Sequence, residues 1–254
     1  LKNIKVPFVI FLLLLFLLPD SFAQIKTKGE LMKKENNTKC VGGLIKLKPE
    51  FEERYIILHR HTFPGVLERI KKSNIRNYTI FLLNGILFSH YEYVGNNFKA
   101  DMDAIADPVT RDWWKLTDPM QEPIDPRNKG EWWASVEMWL RVDKAVKSSA
   151  KAKRIGLTAQ IAQGNEEAVK KIFSNYPEKV KQATYKENFQ KHTVYYRDGK
   201  LYLYYEYLGD DLNKSLAALR KNDAFSNFQN ELNMHLVTIG NDPWVEMKEV
   251  FHTN

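Results

Sequence analysis

Apolar and polar positions change rhythm several times along this chain, and each change marks an element. The first stretch is an unbroken apolar run from Val6 to Leu18, preceded by Lys2 and Lys5 and followed by Ser21-Phe22-Ala23 before Gln24. That is the layout of a secretory signal peptide. Residues 1–23 are therefore expected to be removed, leaving a secreted or periplasmic protein, and the run is short for a bilayer span of roughly twenty residues. A retained anchor is the alternative; after cleavage no stable membrane insertion is expected.

Beyond residue 40 the pattern becomes regular. Val41 to Leu47 reads as a strand, and Pro49 to Arg60 as a helix with Pro49 at its start and Glu50, Glu52 and Glu53 in its first turn. A hairpin follows with its turn at Asn84-Gly85, since Asn-Gly supplies the two positive-φ positions that the tightest turns need. Helical stretches then run near 97–106 and 108–116, and a strand spans Trp132 to Val142. The order is βαββαβ, the ferredoxin-like pattern.

The pattern then recurs. At an offset of 114 residues, Tyr78 to Gly95 matches His192 to Gly209 without a gap, with seven identities in eighteen positions, among them Gly85/Gly199, Tyr91/Tyr205, Glu92/Glu206 and Gly95/Gly209. The reading is an internal repeat: one unit over 38–143, a Lys- and Ala-rich linker over 144–153, and a second unit over 154–254 whose last strand lies around Val245 to Phe251. The fold class is α+β. The two units are expected to pack sheet to sheet as an intramolecular dimeric α/β barrel, a monomer acting as a pseudo-dimer, because a sheet covered by helices on one face leaves the other to be buried.

Composition adds little to this frame. Cys40 is the only cysteine, so no internal disulfide forms. Without residues 1–23 the chain holds 36 basic and 30 acidic residues, a net +6. This suits acidic small partners or a solvated surface, and an exported chain is not expected to meet nucleic acid. No metal-ligand spacing, phosphate-binding glycine loop or serine-nucleophile motif stands out, so neither metal nor cofactor is expected.

The candidate chemistry lies in the first helix. Phe51, Tyr55, Leu58, His59 and Thr62 share one face, which makes Tyr55 and His59 neighbours. The pair is either packing with hydrogen-bonded tips or an acid–base pair. The run Pro49-Glu50-Phe51-Glu52-Glu53-Arg54-Tyr55-Ile56-Ile57-Leu58-His59, with Phe63-Pro64, resembles the opening of the L-rhamnose mutarotases. Asn77-Tyr78, Asp112-Trp113-Trp114-Lys115 and Glu137-Met138 agree in order. The resemblance implies Tyr55 and His59 as catalytic residues, with Tyr78, Trp113 and Trp114 holding the sugar. The second unit departs from the pattern. Aligning Tyr176-Pro177 with Phe63-Pro64 puts Ala168 and Ile172 at the places of Tyr55 and His59; elsewhere Asn227-Phe228-Gln229 replaces Asp112-Trp113-Trp114, and His192 takes the place of Tyr78. Only the first unit would then be live.

Arg60 and His61 stand where the family usually has Asn-Pro, and with Lys115 they suggest recognition of an acidic sugar. Three readings follow. The preferred one is a dehydratase (a carbon–oxygen lyase) eliminating water at a terminal uronic acid of rhamnose-containing oligosaccharides during polysaccharide degradation, with one of those cations neutralising the carboxylate. The others are a mutarotase interconverting the anomers of L-rhamnose, and a non-catalytic glycan-binding module.

Overall fold

In the computed structural model, residues 38–144, 151–238, 240 and 242–254 are described. The expected signal segment and the linker stretch 145–150 lie outside them. The first half runs β1 (Lys39–Leu47), a short 3-10 turn at Pro49–Phe51, α1 (Glu52–Arg60), α2 (Pro64–Lys72), β2 (Ile75–Leu83), β3 (Ile86–Tyr93), α3 (Phe98–Ala104), α4 (Pro108–Thr117), β4 (Gln121–Glu122), β5 (Ala134–Ser135) and β6 (Glu137–Asp143). The second runs β7 (Lys153–Gln160), α5 (Glu166–Ser174), α6 (Glu178–Lys186), β8 (Phe189–Arg197), β9 (Lys200–Tyr207), α7 (Leu212–Arg220), α8 (Asp223–Asn233) and β10 (Val245–Thr253).

Local chemistry explains most boundaries. Pro64 begins α2 at a position where its missing N–H is not needed, and Arg69, Lys71 and Lys72 meet the negative end of that helix. Asn97, Asp107, Asp211 and Asn222 each cap a helix by accepting a backbone N–H. Both hairpin turns have the expected left-handed pair, Asn84 with Gly85 and Asp198 with Gly199. Two features differ from the sequence reading. Each unit has two helices, not one, between its first strand and its hairpin, because the chain breaks before Pro64 and restarts. The strand expected over Trp132 to Val142 is split into β5 and β6.

The sheets do face each other, but they are not two separate layers. Strands run in the order β4-β1-β3-β2-β10-β7-β9-β8-β6 as one curled antiparallel sheet. β10 pairs first with β7 of its own half, through Val245 to Met247, and then with β2 of the other half, through Lys248 to Thr253. β5 pairs with β1, and β6, one residue further on, pairs with β8. Each half thus lends its last strand to the other, and the pairings return to β1.

The space between the inner faces is filled by Leu44, Phe81, Phe88, Tyr195, Tyr202, Tyr204 and Met247, drawn from both halves. Gly42 and Gly156 make this approach feasible: a Cβ on Gly42 would lie 3.0 Å from the Tyr195 ring, and one on Gly156 2.6 Å from Phe81. Beside the apolar filling lies a buried polar group. Lys191 reaches Glu92 at 2.5 Å, and Tyr204 Oη donates within a network holding Asn77 and Glu206. His90 points inward and is 1 % exposed; its ring stacks on Tyr204 with centroids 3.8 Å apart.

Candidate functional site

The site grows from α1. Tyr55 and Ile56 are the buried residues of this helix, and Tyr55 is wholly enclosed. One turn on, His59 stacks on the Tyr55 ring with centroids 3.9 Å apart and an interplanar angle of 29°. His59 Nδ1 lies 2.9 Å from the backbone carbonyl of Tyr55. A carbonyl only accepts, so Nδ1 carries the proton and Nε2 keeps its lone pair. Burial pulls the imidazole down to about 4, against the rise that the Tyr55 carbonyl bond provides, so the ring is neutral near pH 7. The Tyr55 phenol is pushed well above its ordinary range, first by burial and then by the nearby Tyr78 hydroxyl. Gln121 Nε2 donates to Tyr55 Oη at a long 3.4 Å, and Trp132 Nε1 donates to Gln121 Oε1 at 3.0 Å. This relay orients the phenol from behind.

His59 faces a cavity of about 230 Å³, whose wall includes Thr62, Tyr78, Tyr91, Thr110, Trp113, Trp114, Trp133 and Phe251. Trp113 meets His59 edge-on at 5.2 Å, and Tyr78 meets Tyr91 and Phe251 at 5.6 and 5.4 Å. Burial raises the Tyr78 and Tyr91 phenols, Tyr91 to about 12, so both keep their protons near neutrality. No side chain of the wall carries a full charge near pH 7.

Of the eight residues singled out from the sequence, the structure brings His59, Tyr78, Trp113 and Trp114 to the cavity and sets Tyr55 directly behind His59. Arg60, His61 and Lys115 are exposed and do not line it. Lys115 pairs with Asp112 at 2.7 Å in solvent. The reason for the first two is geometric: Arg60 follows His59 by about 100° around the helix, and His61 caps the end of α1 outside its helical turns. Sequence reasoning missed Phe251, since a residue from the last strand of the other half gave no local signal. The shift in pairing between Glu249 and Phe251 buries Val250 and Phe251 side by side, although neighbours on a regular strand face opposite ways. Tyr91 and Trp133 were visible as aromatic residues, without a reason to assign them to the site.

The second half has a matching cavity of about 210 Å³, and it corrects one alignment. Element starts recur at the 114-residue offset from β1 through α3, α1 and α5 included. Val169 and Phe173, not Ala168 and Ile172, are therefore the inward residues equivalent to Tyr55 and His59; both are buried. The aromatic-Pro anchor misled by one position, because Pro64 is the first residue of α2 whereas Pro177 precedes α6. Neither Val nor Phe transfers protons.

Residues 41–141 match the family model described as L-rhamnose mutarotase. A search of the curated proteins gives no match. Among solved structures, a candidate monooxygenase of Lactobacillus acidophilus is similar with a TM-score of 0.54 at 7 % identity, over 85 % of this chain and 96 % of the other. One from Fusobacterium nucleatum subsp. nucleatum gives 0.50 at 12 % identity, over 85 % and 94 %. At such identities the likeness concerns the fold, the ferredoxin-like α/β barrel.

Proposed function

We infer, for a chain whose residues 41–141 match the family model described as L-rhamnose mutarotase, that the first cavity interconverts the anomers of a neutral deoxy sugar. The observation that carries this is His59: an imidazole with its tautomer fixed, presenting a lone pair at Nε2 to a small cavity walled by aromatic rings and free of charged side chains. The volume is below the roughly 300–1,000 Å³ of pockets for drug-sized ligands and suits a single sugar ring. Flat rings such as Trp113 and Trp114 stack on the apolar face of such a sugar.

In this reading Nε2 takes the proton of the anomeric hydroxyl while a phenol gives one to the ring oxygen; the open chain rotates and recloses by the reverse transfers. Burial sets the protonation states that this assignment needs near pH 7, an unprotonated imidazole and protonated phenols. Tyr55 is the family's partner for the histidine. Tyr78 is the phenol that lines the cavity, and it stands close enough to Tyr55 to raise it. Exchange spectroscopy on L-rhamnose tests the proposal: wild type should speed α/β exchange and His59→Gln should not. No acceleration by wild type would overturn it.

Water elimination at a terminal uronic acid suits the same pair but needs a cation against the carboxylate. The exposure of Arg60, His61 and Lys115 argues against that reaction. A product lighter by one water from a uronate-ended oligosaccharide would restore it. Export remains part of the proposal, and a mature protein beginning at Gln24 would support it.

A further inference from the structure

The second half retains a cavity that the proposed reaction does not use. Its wall corresponds to that of the first position by position, with the chemistry exchanged. Phe173 stands for His59, His192 for Tyr78, Phe225 for Thr110, Phe228 for Trp113, Gln229 for Trp114 and Leu140 for Phe251. Leucines and aromatic rings supply most of the remaining surface. Into it projects His192, which is 2 % exposed and has no hydrogen-bond partner at either ring nitrogen among the described residues. Tyr176 and Tyr205 meet its ring edge-on or tilted, at 5.3 and 5.5 Å, and hold it in place. Two unsatisfied nitrogens on one buried ring are unusual, because buried polar groups are nearly always paired.

We propose that this cavity is a binding site for a small neutral phenol-like molecule whose hydroxyl pairs with His192. Burial holds the imidazole at about 3, so near neutrality the ring offers one donor and one acceptor. A hydroxyl is the smallest group that satisfies either. An aromatic ring fills the space between Phe173, Phe225, Phe228 and Trp244 with the edge and face contacts such rings prefer. Thr184, Gln229 and Glu246 also reach this wall, yet its surface is mostly apolar, so a ligand with one hydroxyl is better matched to it than a sugar with several.

The probe is p-cresol, titrated calorimetrically into the full chain with L-rhamnose in excess to occupy the first cavity. Toluene serves as the isostere without a hydroxyl. Saturable binding of one p-cresol is expected, with toluene about 10-fold weaker, the worth of one good buried hydrogen bond. His192→Phe should bring p-cresol down to the affinity of toluene. Leu216→Trp, which fills the cavity, should remove binding of both and leave rhamnose exchange unchanged; it also keeps the test alive if His192→Phe does not fold. Absence of saturable binding in wild type, equal affinities for the two probes, or binding that survives Leu216→Trp would each overturn the proposal.

Discussion

The two halves use one scaffold to build opposite cavities. In the first, polar tips are placed among rings: a fixed imidazole, two phenols and three tryptophans. In the second, the equivalents are phenylalanine, glutamine and leucine, with one unpaired histidine. Element starts from β1 through α3, the left-handed conformation of both hairpin turns and the positive φ of Asn74 and Asn188 recur in the two halves. The lesson is that the frame is specified by glycines, turns and inward aliphatics, whereas the chemistry depends on about half a dozen positions that change without disturbing it.

That contrast can be broken most directly at the proposed catalytic pair. His59→Gln and Tyr55→Phe should each lower the rate of anomer exchange by about two to four orders of magnitude, the usual worth of a positioned acid or base. Phe173→His in the second half should leave the rate alone. A Tyr78→Phe loss in kcat as large as that of Tyr55→Phe would move the acid role to the phenol that lines the cavity. Comparable losses from changes at Val169 or Phe173 would mean that the halves are not chemically distinct.

The next largest effect is expected at the exchanged strands. Phe251→Ala should destabilise the protein by about 3–5 kcal/mol and also raise KM for rhamnose, because the ring is part of the first cavity. Leu140→Ala should destabilise by about 2–5 kcal/mol with KM unchanged. Denaturant melts with paired kinetics separate the two.

Lowering the pH sharpens the comparison from a different side. His59 and His192 both have folded values, about 4 and about 3, below the unfolded imidazole value. Between roughly pH 6.5 and these values the unfolded chain binds protons that the folded chain does not. Stability is therefore complete above about pH 6.5 and falls as the pH drops. Thermal melts between pH 7 and 5 should show Tm falling, with a shallower fall in His192→Phe. The exchange rate should stay level to about pH 5 and drop as Nε2 is protonated near 4. The smallest effects are expected for Arg60→Met and Lys115→Met, less than about threefold in kcat/KM, as for exposed charges generally. A hundredfold loss at either would revive the acidic-substrate reading.

Much of this was legible in the chain. The hairpins followed from Asn84-Gly85 and Asp198-Gly199, and the Tyr55/His59 stack from helical spacing. What was hidden depends on distant parts of the sequence. Nothing near Phe251 shows that its strand crosses to β2. The exposure of Arg60 and His61 turns on where α1 meets the sheet. The single-residue error at Val169 and Phe173 came from trusting a proline, which is tolerated equally well at the first position of a helix or just before it. Burial of neighbouring positions, and not identity, decided the register.

Because β10 closes the first cavity with Phe251 while β6 closes the second with Leu140, the shape of the first cavity depends on codons far from those of Tyr55 and His59. A premature stop shortly before Phe251 would leave every proton-transferring group encoded and still open the cavity. A half without proton-transfer groups would ordinarily be free to be deleted or replaced by recombination. Here any foreign replacement has to arrive with a last strand that fits the resident half, so the two stretches of gene are expected to be inherited together.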